Sequence, residues 1–335
     1  MYTARAYRFT EFLLWTRRSL YALIALNFAL VALYQLAGWH WLAVPWGVIF
    51  MLGTTVALMA GFKNTQAYNR LWEAQQVWAS ITGLSRLWGA MSRDYAGNES
   101  DARHLAYRHL AWLTALRYQM RDSKAWETLK QAPNAEYRKR YEVPEREHAL
   151  EIELIKYVTP EEKSRILMAP GKATEVLGLQ SAALRNLLDA GRLPASHFLE
   201  LQRVLRDFQD QQARSERLKN YPYPRQYAIV NTIFVRILCL LLPLGIIDLL
   251  EPANALAGGL LAGHVAWLAI PLGVLVSWMY TALDQVGEAS VNPFEGGAND
   301  IPISQICIDI EADLRQLLGE RDIPVAAAPA SPIVL

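Results

Sequence analysis

Cysteine is almost absent from this chain. Its two residues, Cys239 and Cys307, stand far apart, one in an apolar run and one in a helical pattern. They suggest neither a disulfide framework nor a metal site. The 6 histidines form no ligand pattern, and His104 and His109, five apart, do not share a helix face. No glycine-rich phosphate loop, nucleophile elbow or defensible pair of catalytic carboxylates occurs, which weighs against an enzyme. An excess of charge is missing as well. The 33 Lys and Arg nearly cancel the 32 Asp and Glu, which argues against nucleic acid as a main partner. The opening MYTARAYRFTEF lacks the short apolar run and small-residue cleavage site of a secretory signal. The reading therefore includes no metal and no cofactor.

What is present is apolar length. Leu20 to Ala37, interrupted only by Asn27 and Gln35, Leu42 to Phe62, Ala228 to Ile247 and Leu256 to Leu283 are each long enough to cross a hydrocarbon core as a helix. Lys and Arg are distributed unevenly around them. Arg17 and Arg18, Lys63 and Arg70, and Lys219 and Arg225 flank the spans on one side, whereas the short connections 38–41 and 248–257 contain neither residue. This asymmetry predicts that both termini and the long middle section are cytoplasmic. The 11 Trp suit aromatic belts at the membrane interfaces.

The second span has an unusual continuation. At Lys63 the sequence turns polar with no break signal, and Leu71, Trp78, Ile81, Leu84 and Trp88 then mark one helix face. A membrane helix thus runs directly into a packed one. Within its apolar half, Trp46, Phe50, Thr54, Leu58, Phe62 and Gln66 recur every fourth residue. Copies of this helix around an axis would make a narrow, mostly apolar tube; the alternative is that the stripe packs on neighbouring helices.

The chain divides into a basic N-terminal segment (1–18), spans one and two (19–62), a helical cytoplasmic region (63–225), spans three and four (226–284), a C-terminal helix region (285–320) and a disordered tail (321–335). Leu105, Trp112, Leu116 and Met120 mark one helix of the middle region, and Leu201, Leu205 and Phe208 another. Prolines punctuate 122–170, which reads as loops and short helices. Ile303, Ile306, Ile310, Leu314 and Leu317 form the inward face of the last helix, with Gly319 near its end.

Arg236 lies inside the third span, where a charge marks a functional-site candidate. Its alternatives are a water-filled vestibule and a cytoplasmic snorkel. Gly259 and Gly263 form a small-residue pair in the fourth span, suited to close helix packing. The Asn98 sequon is inert if its side of the membrane is cytoplasmic.

Three stretches together resemble the bestrophin family of ion channels: LLWTRRSLYAL near the start, GFKNTQAYNRLWEAQQVW at 61–78, and NPFEGGANDIPISQICIDIEADLRQLLGE. The second is similar to the signature of the bacterial branch. The resemblance implies an all-α membrane protein with four transmembrane helices per subunit continuing into a helical cytoplasmic domain. It further implies a homo-pentamer around one axial pore in a bacterial inner membrane, in contact with lipids and permeant monovalent ions. Aligning the Gly-Phe-Lys-Asn match puts the pore neck on Thr54, Leu58 and Phe62, with Trp46, Phe50, Gln66 and Arg236 as further pore-facing candidates. Most necks in the family are wholly apolar, so Thr54 departs from the pattern.

The implied function is passage of chloride, other anions or, as in some bacterial members, cations; the uncharged neck leaves the choice open. A membrane-anchored scaffold or sensor without conduction is the alternative. Animal members hold calcium on an acidic run after Asn-Pro-Phe. Here Glu295, Asn299 and Asp300 are its remnant, with glycines and alanine between the two acids, so calcium independence is expected. The plainer reading is that Asn299 and Asp300 cap the next helix.

Overall fold

The computed structural model describes residues 1–256, 263–321, 323 and 332–335. It is all-helical: among the described residues no strand forms, and Tyr2 and Ile333 make an isolated antiparallel bridge.

Helix α1 spans Phe9–Leu36. Residues 9–18, read from sequence as part of a separate segment, are its first turns. After a single 3-10 turn at His40–Leu42, α2 runs unbroken from Trp46 to Tyr95, 50 residues or about 75 Å. Pro45 stands at its N-cap, where a missing N–H costs nothing. Helix α3, Glu99–Arg121, is capped by Asn98, whose side chain accepts from the Asp101 amide at 2.8 Å. The proline-punctuated region folds into α4 (Ala132–Tyr137), α5 (Pro144–Glu147), α6 (Leu150–Leu154) and α7 (Pro160–Met168). Three of these carry Pro in their first turn. A helical hairpin follows, α8 (Lys172–Asp189) and α9 (Ala195–Asn220), turned at Gly191 with φ +69°.

Helix α10 covers Arg225–Leu256, past the expected stop at Ile247. Asp248 does not end it; instead its carboxylate accepts the Trp46 amide at 2.9 Å and so holds the positive end of α2. The fourth span consequently begins later than Leu256. A 3-10 turn at Val265–Leu268 leads into α11, Ala269–Ser290. Gly259 lies outside the described residues, and Gly263 sits in the turn with φ +78° rather than in a span. Close helix packing comes from other glycines. A Cβ at Gly245, Gly273 or Gly287 would come within 2.4 Å of Ile49, 2.1 Å of Asn27 or 2.0 Å of Asn64. Helix α12, Ile303–Leu317, buries Ile303, Ile310 and Leu314, with Gly319 at φ +74° just beyond it. Of the tail expected to be disordered, 322 and 324–331 lie outside the described residues. Ile333 and Leu335 are buried with Val143, and Leu335 accepts the Gln305 amide at 2.8 Å.

Helices α1, α2, α10 and α11 are each long and apolar enough to cross a membrane. Their contacts form one core, around Val31, Ile49, Val56, Leu238 and Ala269. The inner half of α2 belongs to a second core with α3, α8, α9 and α12, in which Trp78, Trp88, Trp112 and Phe208 are fully buried. These three Trp form no interfacial belt. Helix α2 is therefore the axle of both cores.

Candidate functional site

The outer half of α2 buries Ile49, Val56, Ala60 and Lys63 against its own subunit. The stripe read from the sequence lies on another face. Phe50, Leu58 and Phe62 are 63%, 62% and 64% exposed, and Thr54 and Gln66 are exposed beside them; Trp46 is half-buried. From Phe50 to Gln66 the stripe is therefore not packing within the subunit, whereas Trp46 packs against the core of the spans. The Thr54 hydroxyl donates to the Phe50 carbonyl at 2.8 Å, which satisfies its proton inside the helix and leaves only acceptor character facing outward.

Arg236 is also exposed, among Ile233, Phe234, Ile237 and Leu240 on α10, and makes no ion pair or hydrogen bond among the described residues. A guanidinium at that depth requires water or a group from outside the subunit.

Just inside the stripe the reverse holds. Lys63, next to Phe62, is 3% exposed and pairs with Asp284 of α11 at 2.6 Å. Asp284 also accepts from Asn231 at 2.6 Å and Thr232 at 3.1 Å, both on α10. Three spans are thereby tied at one point. Two turns farther on, Arg70 donates to the carbonyls of Val291 at 2.9 Å, Leu218 at 2.8 Å and Tyr221 at 3.0 Å.

A family model described as bacterial and fungal bestrophin matches residues 14–316. The chain belongs to the bacterial and fungal bestrophin family. A relative in Escherichia coli K12, named voltage-dependent anion channel-forming protein YneE, is 25% identical over 83% of this chain and 79% of its own. One in Mesorhizobium japonicum with the same type of name is 22% identical over 88% and 84%. The crystal structure of a bacterial bestrophin homologue from Klebsiella pneumoniae superposes with a TM-score of 0.73 at 20% identity, over 90% of this chain and 98% of the other. The fold is thus the bestrophin fold.

The segment after span four adopts a specific geometry in this bestrophin. Asp300 does not cap α12, whose N-cap is Pro302 with no side-chain bond. Its Oδ1 instead accepts the amides of Phe294 at 2.8 Å and Ile301 at 2.7 Å. Its Oδ2 takes the amide of Gly296 at 2.7 Å and Nη1 of Arg121 at 2.9 Å. This fourfold acceptor holds Phe294 at φ +72°, uncommon for a bulky residue, with the ring buried against Trp78. Glu295 is buried, with Oε1 on the Thr128 hydroxyl at 2.8 Å and Oε2 on the Thr128 amide at 3.0 Å. Burial raises its carboxyl to about 7, against the lowering effect of those bonds, with Asp300 and Glu127 adding repulsion. Asn299 is exposed.

Sequence reasoning missed the Lys63–Asp284 pair. Each is the first charge past an apolar run, Phe62 and Leu283 being the predicted span ends, and the two are opposite in sign. That was the available signal.

Proposed function

We propose that this bestrophin conducts small anions down their gradient through the axis of a homo-pentamer, with Thr54, Leu58 and Phe62 as the narrow neck. The observation that carries the reading is the outward-facing stripe: exposed Phe50, Leu58 and Phe62 with Thr54 among them, ending at a polar Gln66, on a helix whose other face is packed. Five such stripes around an axis form a tube in which a ring of Leu58 and a ring of Phe62 shed water and impede ions. Trp46 and Phe50 line its outer mouth. The names of the relatives and an uncompensated Arg236 favour anions over cations.

The membrane is the bacterial cell membrane, and the two turns that lack Lys and Arg face outward, leaving both termini cytoplasmic. Calcium plays no part in opening. Every carboxylate oxygen of Asp300 and Glu295 already accepts from a protein donor, whereas a tight calcium site needs about six to eight oxygen ligands.

Purified protein in liposomes under a chloride gradient tests the reading. The parent passes chloride, unchanged from chelator-buffered trace calcium to micromolar, and the Leu58→Ala/Phe62→Ala double variant passes more. A pentamer that passes no ion is a scaffold or sensor, and the proposal fails. A double variant that assembles but conducts no faster than the parent returns the stripe to packing.

A further inference from the structure

Between the N-terminal segment, the start of α1, the α4 region and the end of α11 lies a cavity of about 360 Å³, within the ~300–1,000 Å³ of small-molecule sites. Six aromatic side chains line it in three touching pairs. Tyr2 and Tyr7 meet edge to face at 5.1 Å between centroids, as do Tyr137 and Tyr141 at 6.5 Å, and Phe12 and Trp15 lie tilted at 6.3 Å. Among the described residues Glu295 is the lone acid in the lining, and no Lys or Arg lines it. Three separate parts of the chain converge there: the N-terminal segment with the start of α1, the α4 region, and the loop after α11.

This lining selects a chemistry. Aromatic faces present negative potential and attract a cation set against them. The Glu295 carboxyl at the wall adds to that attraction once ionised, above about pH 7, and then disfavours an anion. A plain acyl chain would leave the carboxylate buried against hydrocarbon, at a cost. A bare metal ion finds too few oxygens, since both Glu295 oxygens are engaged with Thr128. What remains is a cation with an apolar skin. We propose that the cavity binds an alkylated ammonium group, either a free quaternary amine or the head of a lipid. Phe12 and Trp15 at the start of α1, and Val286 and Ala289 at the end of α11, border it at the membrane edge, within reach of both sources. Such a ligand would clamp the N-terminal segment onto the loop that follows span four. The binding claim does not depend on conduction.

The test is calorimetry on the full-length protein in detergent, with choline and its uncharged carbon isostere, in which tert-butyl replaces trimethylammonium. Choline is expected to bind about tenfold tighter than the isostere, the discrimination that desolvated cation–π contact supports. Glu295→Gln, which keeps the shape, reduces that preference several-fold and leaves the isostere unaffected. Tyr7→Leu, at an exposed position outside the helices, weakens choline with the thermal transition unchanged. In nanodiscs, choline displaced by phosphatidylcholine but not by phosphatidylglycerol assigns the site to a lipid head. Undiminished choline binding in both assigns it to a free amine. Equal affinities for choline and isostere, or no choline binding by folded parent protein, overturn the proposal.

Discussion

The two halves of α2 share one helix and differ in who covers them. Across the most apolar 18 residues of this span only 11% are buried by the rest of the chain. In the inner half, Trp78, Ile81 and Trp88 are wholly enclosed by α3, α9 and α12. The contrast separates two sources of stability. The inner half closes its own hydrophobic core, as a soluble domain does. The outer half leaves Phe50, Leu58 and Phe62 for lipid, water or another copy of the chain. Substitutions in the inner half should change folding, and those in the outer half should change assembly and conduction.

The largest effects should come from the inner half. Trp88 is fully buried and donates to the Leu105 carbonyl at 3.2 Å, which also accepts from Gln180 at 2.7 Å. Trp88→Ala thus leaves that carbonyl satisfied, and the loss is packing, about 3–5 kcal/mol. Leu58→Ala should leave unfolding in detergent nearly unchanged, since its side chain touches little in the subunit. Comparable losses for both would erase the distinction.

The junction between the halves should respond differently from either. Lys63→Met strands the Asp284 carboxylate among α2, α10 and α11, at a cost of about 3–5 kcal/mol. Lys63→Met with Asp284→Leu removes the stranded charge, so most of the stability returns. A double variant no better than the single would mean that the pair's hydrogen bonds with Asn231 and Thr232 outweigh its desolvation.

The same division explains what could be read in advance. The four spans, the unbroken α2 and the stripe are periodic or compositional features, and Leu105, Trp112, Leu116 and Met120 lie buried together on α3 as their spacing requires. The end of α10 and the start of α11 were misplaced because Asp248 looks like a stop in sequence but serves the N-terminus of α2 in space. Asp300 was misread for a related reason. An acid before a helix resembles a cap, but this one is drawn instead by three amides of its own loop and Arg121 from α3. Pairings across more than a hundred residues leave no periodic trace.

A smaller effect distinguishes the inner core by pH. His109 is packed among Trp88, Trp112 and Phe208 and contacts Ser85 at 2.9 Å. The Ser85 hydroxyl donates to the Ile81 carbonyl at 2.6 Å, so its oxygen accepts and His109 Nε2 carries the proton. Burial lowers the His109 pKa from 6.5 to about 3. The unfolded chain therefore binds the proton first as pH falls. The stability from a neutral His109 is complete above about 6.5 and is lost progressively below it, amounting to about 2 kcal/mol near pH 5. His109→Gln keeps a donor for Ser85 and removes the titration, so its unfolding midpoint should fall less between about pH 7 and 5. Parallel declines would place the acid sensitivity elsewhere.

The smallest effect on folding belongs to Arg236, in the uncovered region. Nothing described in the subunit pairs with it, and Ile233, Phe234, Ile237 and Leu240 around it are also exposed. Arg236→Gln removes no intramolecular contact, so the subunit's stability should stay within about 0.5 kcal/mol of the parent. Its charge acts on whatever lies outside. A unit charge about 4 Å from a permeant ion in a watery vestibule is worth about 1 kcal/mol, or about fivefold in relative permeability. The reversal potential under a salt gradient should therefore shift toward cations in the variant, with chloride flux reduced and assembly unchanged. If the reversal potential stays fixed while the oligomer dissociates, Arg236 faces a neighbouring subunit rather than the ion path. The uncovered surface of α10 would then be an assembly face, and only that of α2 would line the pore.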